Sequence, residues 1–137
     1  MDFATTLILV LLGILLEAFF SGSEIGMVSV YRIKMKQLAE DGNSAARSIL
    51  KLLENPERLF TTTSLGTNLA MVASTAIFTA FMVTHFGDSG EWMAMSIISP
   101  LIFFGGEIIP KVIFQHRADS LMLLMVYPLI FFSKVLS

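Results

Sequence analysis

Apolar residues fill positions 3–30 almost without relief, interrupted chiefly by Glu17, Ser21, Ser23, Glu24 and Ser29. This is neither the alternation of a half-buried strand nor the single greasy stripe of a soluble helix. Wound at 1.5 Å per residue, the run extends roughly 40 Å, enough to cross a hydrocarbon core of about 30 Å. It predicts a first transmembrane span over about 3–30. Residues 31–58 differ in kind, with six basic and four acidic residues and with Ile33, Leu38, Ile49, Leu52 and Leu53 at helical spacing. Asp41-Gly42-Asn43 divides them into two short helices, and Asn55-Pro56 ends the pair. A second span is expected over about 59–86, then a tight turn at Gly87-Asp88-Ser89-Gly90. A third follows over about 92–110, opening on Trp92 as an interfacial anchor. Residues 119–137 are apolar again, interrupted by Pro128 and carrying Lys134 near their end. The pattern thus predicts a single all-α integral membrane domain. It has three transmembrane helices, a juxtamembrane helical hairpin and a C-terminal re-entrant or interfacial helix.

Composition agrees. Of 137 residues, 55% are hydrophobic and only 15% charged, where a soluble domain carries about a quarter. The net charge of −2 gives no electrostatic case for nucleic acid. With no cysteine, disulfides and thiolate metal sites are excluded. Met1 is followed by Asp2 and not by a basic stretch, so the first run reads as an uncleaved helix.

Charge sets the orientation. Arg32, Lys34, Lys36, Arg47, Lys51 and Arg58 lie in the first connection, and Lys111, Arg117 and Lys134 follow the third span. The positive-inside rule then places the N-terminus outside, the hairpin in the cytoplasm and the 87–91 turn outside. A full crossing by 119–137 would carry Lys134 to the outer face, which favours the re-entrant or interfacial reading.

The remaining information lies in polar residues where lipid should be. Glu17, Ser21 and Glu24 share one helix face. Thr61, Ser64, Asn68 and Thr75 line a face of the second span, with Gly66 among them. In Gly105-Gly106-Glu107-Ile108-Ile109-Pro110, the proline removes the hydrogen-bond donor that the Gly106 carbonyl would use in an α-helix. A carboxylate costs about 2.5–3.5 kcal/mol at the centre of a span on insertion scales. Hydroxyls, an amide, carbonyls and carboxylates without a thiol make a hard-oxygen set suited to Mg²⁺, Ca²⁺ or Na⁺. The candidate ligands are Ser21, Ser23, the Gly66 carbonyl, Asn68 and Glu107, with Glu24, Glu17 and Ser64 as second choices. Ser21 and Ser23 stand 200° apart on an ideal helix, so both can serve only if Gly22 opens the turn. Against this, single serines and threonines in membrane helices commonly bond back to their own helix or join neighbours. Glu17 could instead be a protonated carboxyl in a helix interface, and Glu107 could pair with Lys111. Small residues Ala70, Ala73, Ala76, Ala80 and Gly105 allow close approach of a second copy, or packing within one. No catalytic motif is present, and an enzyme is not expected.

The runs Phe19-Phe20-Ser21-Gly22-Ser23-Glu24, Leu38-Ala39-Glu40-Asp41-Gly42-Asn43, Asn55-Pro56-Glu57-Arg58-Leu59, Ser64-Leu65-Gly66-Thr67-Asn68 and Phe104-Gly105-Gly106-Glu107-Ile108-Ile109-Pro110-Lys111 cover nearly the whole chain. Together they resemble the transmembrane domain of the CNNM/CorC magnesium transporters. The resemblance implies a plasma-membrane homodimer with three spans per protomer and an outside N-terminus, exporting Mg²⁺ with Na⁺ as a candidate exchange ion. It also implies a continuation into a cytoplasmic pair of CBS domains, absent from this chain. The alternative is a dimeric membrane anchor that presents those domains without transporting. The chain departs from the family pattern at Thr67 and Met71, where many relatives carry Asn.

Overall fold

Asp2 starts the first helix by accepting the Thr5 N–H at 2.8 Å, satisfying one of the donors that a helix start leaves open. The computed structural model describes residues 2–136. Helix α1 spans Phe3–Ser29, followed by the short helices α2 (Arg32–Glu40) and α3 (Ser44–Leu53). Between them Gly42 takes φ +97°, a left-handed turn that suits glycine, and Asn43 caps α3 through Ala46 N. Helix α4 (Pro56–Phe86) begins with Asn55 as cap and Pro56 in its first turn. It ends at Gly87, φ +70°.

The third membrane-length rod, Ser89–His116, consists of α5 (Ser89–Leu101), a π-helical segment (Ile102–Ile108) and α6 (Ile109–His116). Pro110 has no N–H to return to residue 106, so the α spacing fails there. The widened turn is visible at Ile109, whose N–H reaches back five residues to the Phe104 carbonyl. A last helix, α7 (Ala118–Leu136), completes the chain.

The bundle is polar within and apolar without. On α1, Leu7, Ile8, Leu11, Leu12, Leu15 and Leu16 are exposed, while Thr6, Glu17, Ser21 and Ser23 are buried. Such a surface is stable only against hydrocarbon, so the protein is a multi-span helical membrane protein. Helix α1 is the hub, packed along α4 and against the π segment, α6 and α7. It runs antiparallel to α4: the Phe3 ring lies tilted against Phe81, Gly13 faces Ser74, and Gly66 faces Phe20. A second, apolar core lies under the α2–α3 hairpin, where Met35, Ala46 and Ile49 meet Met27, Leu59, Met122, Val126 and Leu129.

One expectation about the architecture is corrected. In place of three spans and a re-entrant or interfacial terminal segment, four helices among the described residues are long and apolar enough to cross a membrane, Ala118–Val135 being the fourth. Pro128 does not break it, since a proline within a helix removes one backbone bond and the flanking turns, packed on α1, α3 and α4, hold their course. The terminal segment as read extended to Ser137, which lies outside the described residues. Helix α7 is tied to the hairpin at two points. Asp119 accepts the Tyr31 N–H at 3.0 Å, and Ser44 Oγ lies 2.7 Å from Tyr127 Oη.

Candidate cation site

The π segment presents Gly106 to the middle of α1. Glu17 lies there fully buried, and both its carboxylate oxygens lack any hydrogen-bond partner. Its carboxyl group rests on Gly106: a Cβ at that position would stand 2.6 Å from Glu17 Oε2. Glu107, the next residue, is half-buried and within electrostatic reach of Glu17. Two acidic side chains from different helices therefore flank one bare stretch of irregular backbone. π-Bulges commonly occur at functional sites.

The hydroxyls divide into two groups. Thr62, Thr63, Thr84 and Ser96 donate to carbonyls of their own preceding turn at 2.8–3.1 Å. That is the ordinary fate of such residues in a membrane helix. Ser21 Oγ and Ser23 Oγ are buried and make no such bond, and neither do Thr6 Oγ1 and Ser74 Oγ. An unsatisfied buried polar group costs about 1–3 kcal/mol, so oxygens kept in this state are ready to accept a ligand.

The backbone of α1 is not opened at Gly22, contrary to what the sequence suggested; the helix is continuous. Ser21 and Ser23 are both enclosed because α1 is surrounded, with α4 and the π segment beside it as well as α6 and α7. Gly22 instead makes room for the Phe114 ring of α6.

The residues expected on the second span separate. Gly66 is buried against the Phe20 ring, whereas Ser64 and Asn68 are exposed on the other side of α4. The face that meets α1 carries Thr62, Thr63, Gly66, Ala70 and Ser74. Asn68 shares its face with Met71 and Thr75, three and seven positions on. Those two line a cleft of about 400 Å³ with Ser99, Ile102, Phe103 and Glu107. Thus Glu107 opens onto the Asn68 face, while Glu17, Ser21 and Ser23 lie buried along α1. Glu24 is half-buried, and Lys111 is exposed and forms no ion pair with Glu107.

Sequence reasoning missed Thr6 and Ser74. The available signal was size: Gly66, Ala70 and Ser74 repeat every four residues, and small residues at that spacing mark a close helix contact. Among the described residues, no three of His, Asp and Glu cluster closely enough to hold a metal. A cation here would have to use hydroxyls, carbonyls and water beside the carboxylates.

Comparison with known proteins identifies the family. The chain is 31% identical over 117 residues to a UPF0053 protein of Haemophilus influenzae, covering 85% of this chain and 28% of that protein. It is 34% identical over 98 residues to the UPF0053 inner membrane protein YfjD of Escherichia coli, covering 72% of this chain and 23% of that one. It also matches a polyamine export protein of Escherichia coli, 37% identical over 67 residues, 49% of this chain and 15% of the relative. The chain thus spans about a quarter of the length of the first two relatives. Residues 7–137 match the cyclin M transmembrane N-terminal domain, and the chain belongs to that family, CNNM/CorC.

Proposed function

We propose that this domain transports Mg²⁺, in the direction of export and with Na⁺ as the candidate counter-ion. Membership of a transport family, not an enzyme family, gives the general activity. The observation that supports the ion class is the buried, unpartnered Glu17 carboxylate resting on Gly106, with Glu107 next along the π segment. The unpartnered Ser21 hydroxyl lies one turn on along the same face of α1. Ser23, about 200° round from Ser21 on a continuous helix, joins the set only if that turn opens. Mg²⁺ takes about six oxygens at about 2.0–2.1 Å and usually keeps several waters. A site with two carboxylates and a few hydroxyls, hydrated through the Glu107 cleft, matches that demand. Asn68 and the Gly66 carbonyl remain in the proposed ligand set, Asn68 by way of the cleft; Glu24 and Ser64 stay secondary.

This reading has the N-terminus outside and the α2–α3 hairpin in the cytoplasm, because six of the nine basic residues lie between residues 31 and 58. The relatives' greater length leaves room for the CBS pair expected on the cytoplasmic side. The exposed Ala73, Ala76 and Ala80 offer a flat face on α4 for a second protomer, whereas Ala70 is buried within one.

Calorimetry on the full-length protein tests the site. Glu107→Ala should abolish Mg²⁺ binding, and Lys111→Ala should leave it intact; normal binding by Glu107→Ala would move the site elsewhere. Spermidine is the control suggested by the polyamine-exporting relative, and tighter binding of spermidine than of Mg²⁺ would change the cargo. Absence of Mg²⁺ flux in liposomes, with a control transporter active, would favour the non-transporting anchor.

A further inference from the structure

Two unpartnered buried hydroxyls lie away from the proposed site, toward the other end of α1. Thr6 and Ser74 are 2% and 1% exposed, and neither hydroxyl finds a partner. Thr62, Thr63 and Thr84 of α4 satisfy themselves on carbonyls of their own helix, whereas Thr6 and Ser74, like Ser21 and Ser23 of the proposed site, do not. Ser74 sits opposite Gly13, a contact close enough that any side chain on residue 13 would collide with its hydroxyl.

The positions fall in a series. Thr6, Val10, Gly13, Glu17 and Ser21 repeat at intervals of three and four residues and so share one face of α1. At 1.5 Å per residue, Thr6 lies about 10 Å above the Gly13–Ser74 level, and Glu17 about 6 Å below it. The bare oxygens thus continue from the site toward the N-terminal end of α1. One apolar knot interrupts them. Val10 is buried with Ile98 and Ile102, and Ile14, Met71, Ile77 and Phe78 pack around the three. A constriction of this kind excludes water and can gate a pore by dewetting.

We infer that the α1–α4 seam above Glu17 is the exit route for the cation, with Ser74 and Thr6 as its oxygen relays and the Val10–Ile98–Ile102 knot as its closed outer gate. The inference rests on the transport reading above. A hydroxyl with a purely structural role would gain by bonding to its own helix, whereas a relay oxygen must stay free to meet a passing, partly hydrated ion.

The test uses the full-length protein in liposomes loaded with a Mg²⁺ indicator, with Mg²⁺ binding measured in parallel by calorimetry. Ser74→Ala and Thr6→Val are close in shape to the native residues. Each should keep Mg²⁺ affinity within about twofold while flux falls about tenfold or more. Val10→Ser should raise flux, a gain that a misfolded protein cannot show. Unchanged flux in all three variants, beside an active parent, overturns the route and leaves the transport reading standing. Loss of binding together with flux in Ser74→Ala makes Ser74 part of the site or scaffold and also overturns it. A parent that binds Mg²⁺ and moves none sinks the transport reading, and the route with it.

Discussion

Glu17 occupies the space that a side chain on residue 106 would need: a Cβ on Gly106 would stand 2.6 Å from its Oε2 and 2.7 Å from its carboxyl carbon. Gly105, one position earlier, faces only Ile14 Cγ2 at 3.7 Å. Gly106→Ala should therefore destabilise the domain by about 1–3 kcal/mol, as overpacking does, and weaken Mg²⁺ binding by displacing Glu17. Gly105→Ala should change neither by a comparable amount. Thermal unfolding in detergent with and without Mg²⁺ checks both. Equal behaviour of the two variants would show that the contact at Gly106 does not matter.

Asp119 joins α7 to the α1–α2 junction through two different interactions. It accepts the Tyr31 N–H, and it lies 3.8 Å from the Lys34 ammonium. The Lys34 side chain is 57% exposed, so the ion pair should contribute about 0–1 kcal/mol and fade with salt. Asp119→Asn, which keeps an acceptor, should cost little, and Asp119→Ala should cost about 0.5–1.5 kcal/mol more for the hydrogen bond. Unfolding curves at low and high salt separate the two terms.

The cap at the start of α1 should respond to acid. Hydrogen bonds from the Thr5 side chain and N–H hold the Asp2 carboxyl below its ordinary value of 3.8. The sign follows directly. The cap's contribution is complete above the ordinary value and is lost as pH falls through the lower, folded one. Amide exchange at Thr5 should accelerate, beyond its intrinsic pH dependence, only in that acid window. Asp2→Asn retains a capping oxygen and should remove the effect.

Orientation can be checked without background from this chain, which has no cysteine. An impermeant thiol reagent applied to intact cells should label Asp88→Cys and leave Asn43→Cys untouched. The reverse pattern would invert the topology and the direction assigned to the exit route.

The long spans were legible in the sequence because nothing but membrane helix accounts for such runs of apolar residues. The terminal helix was misjudged because Pro128 and Lys134 were weighed as interruptions. Neither prevents a helix whose flanking turns are held by Met122, Val126 and Leu129 in the hairpin core. At the site, polarity was used to choose the inward face of α4, and it selected Ser64 and Asn68. The true criterion there is size, because α1 approaches closest where α4 carries Gly66, Ala70 and Ser74. Glu17 was placed second because it reads equally well as a dimer-contact residue or a protonated carboxyl in a helix interface. Only the tertiary structure reveals that Gly106, 89 residues away, gives up its side-chain space to it.

That surrender of space recurs. Gly13 yields to Ser74, Gly66 to Phe20 and Gly106 to Glu17, each pair spanning two helices. Neither member of such a pair is free to drift alone, since a larger residue on the glycine side collides and a smaller one opposite leaves a hole in a close-packed seam. Across homologous chains the variation at 13 with 74, 66 with 20 and 106 with 17 should therefore be compensatory, bulk moving from one helix to the other at constant combined volume. The interior of this domain is inherited as couples of positions, and its history should be readable as exchanges between them.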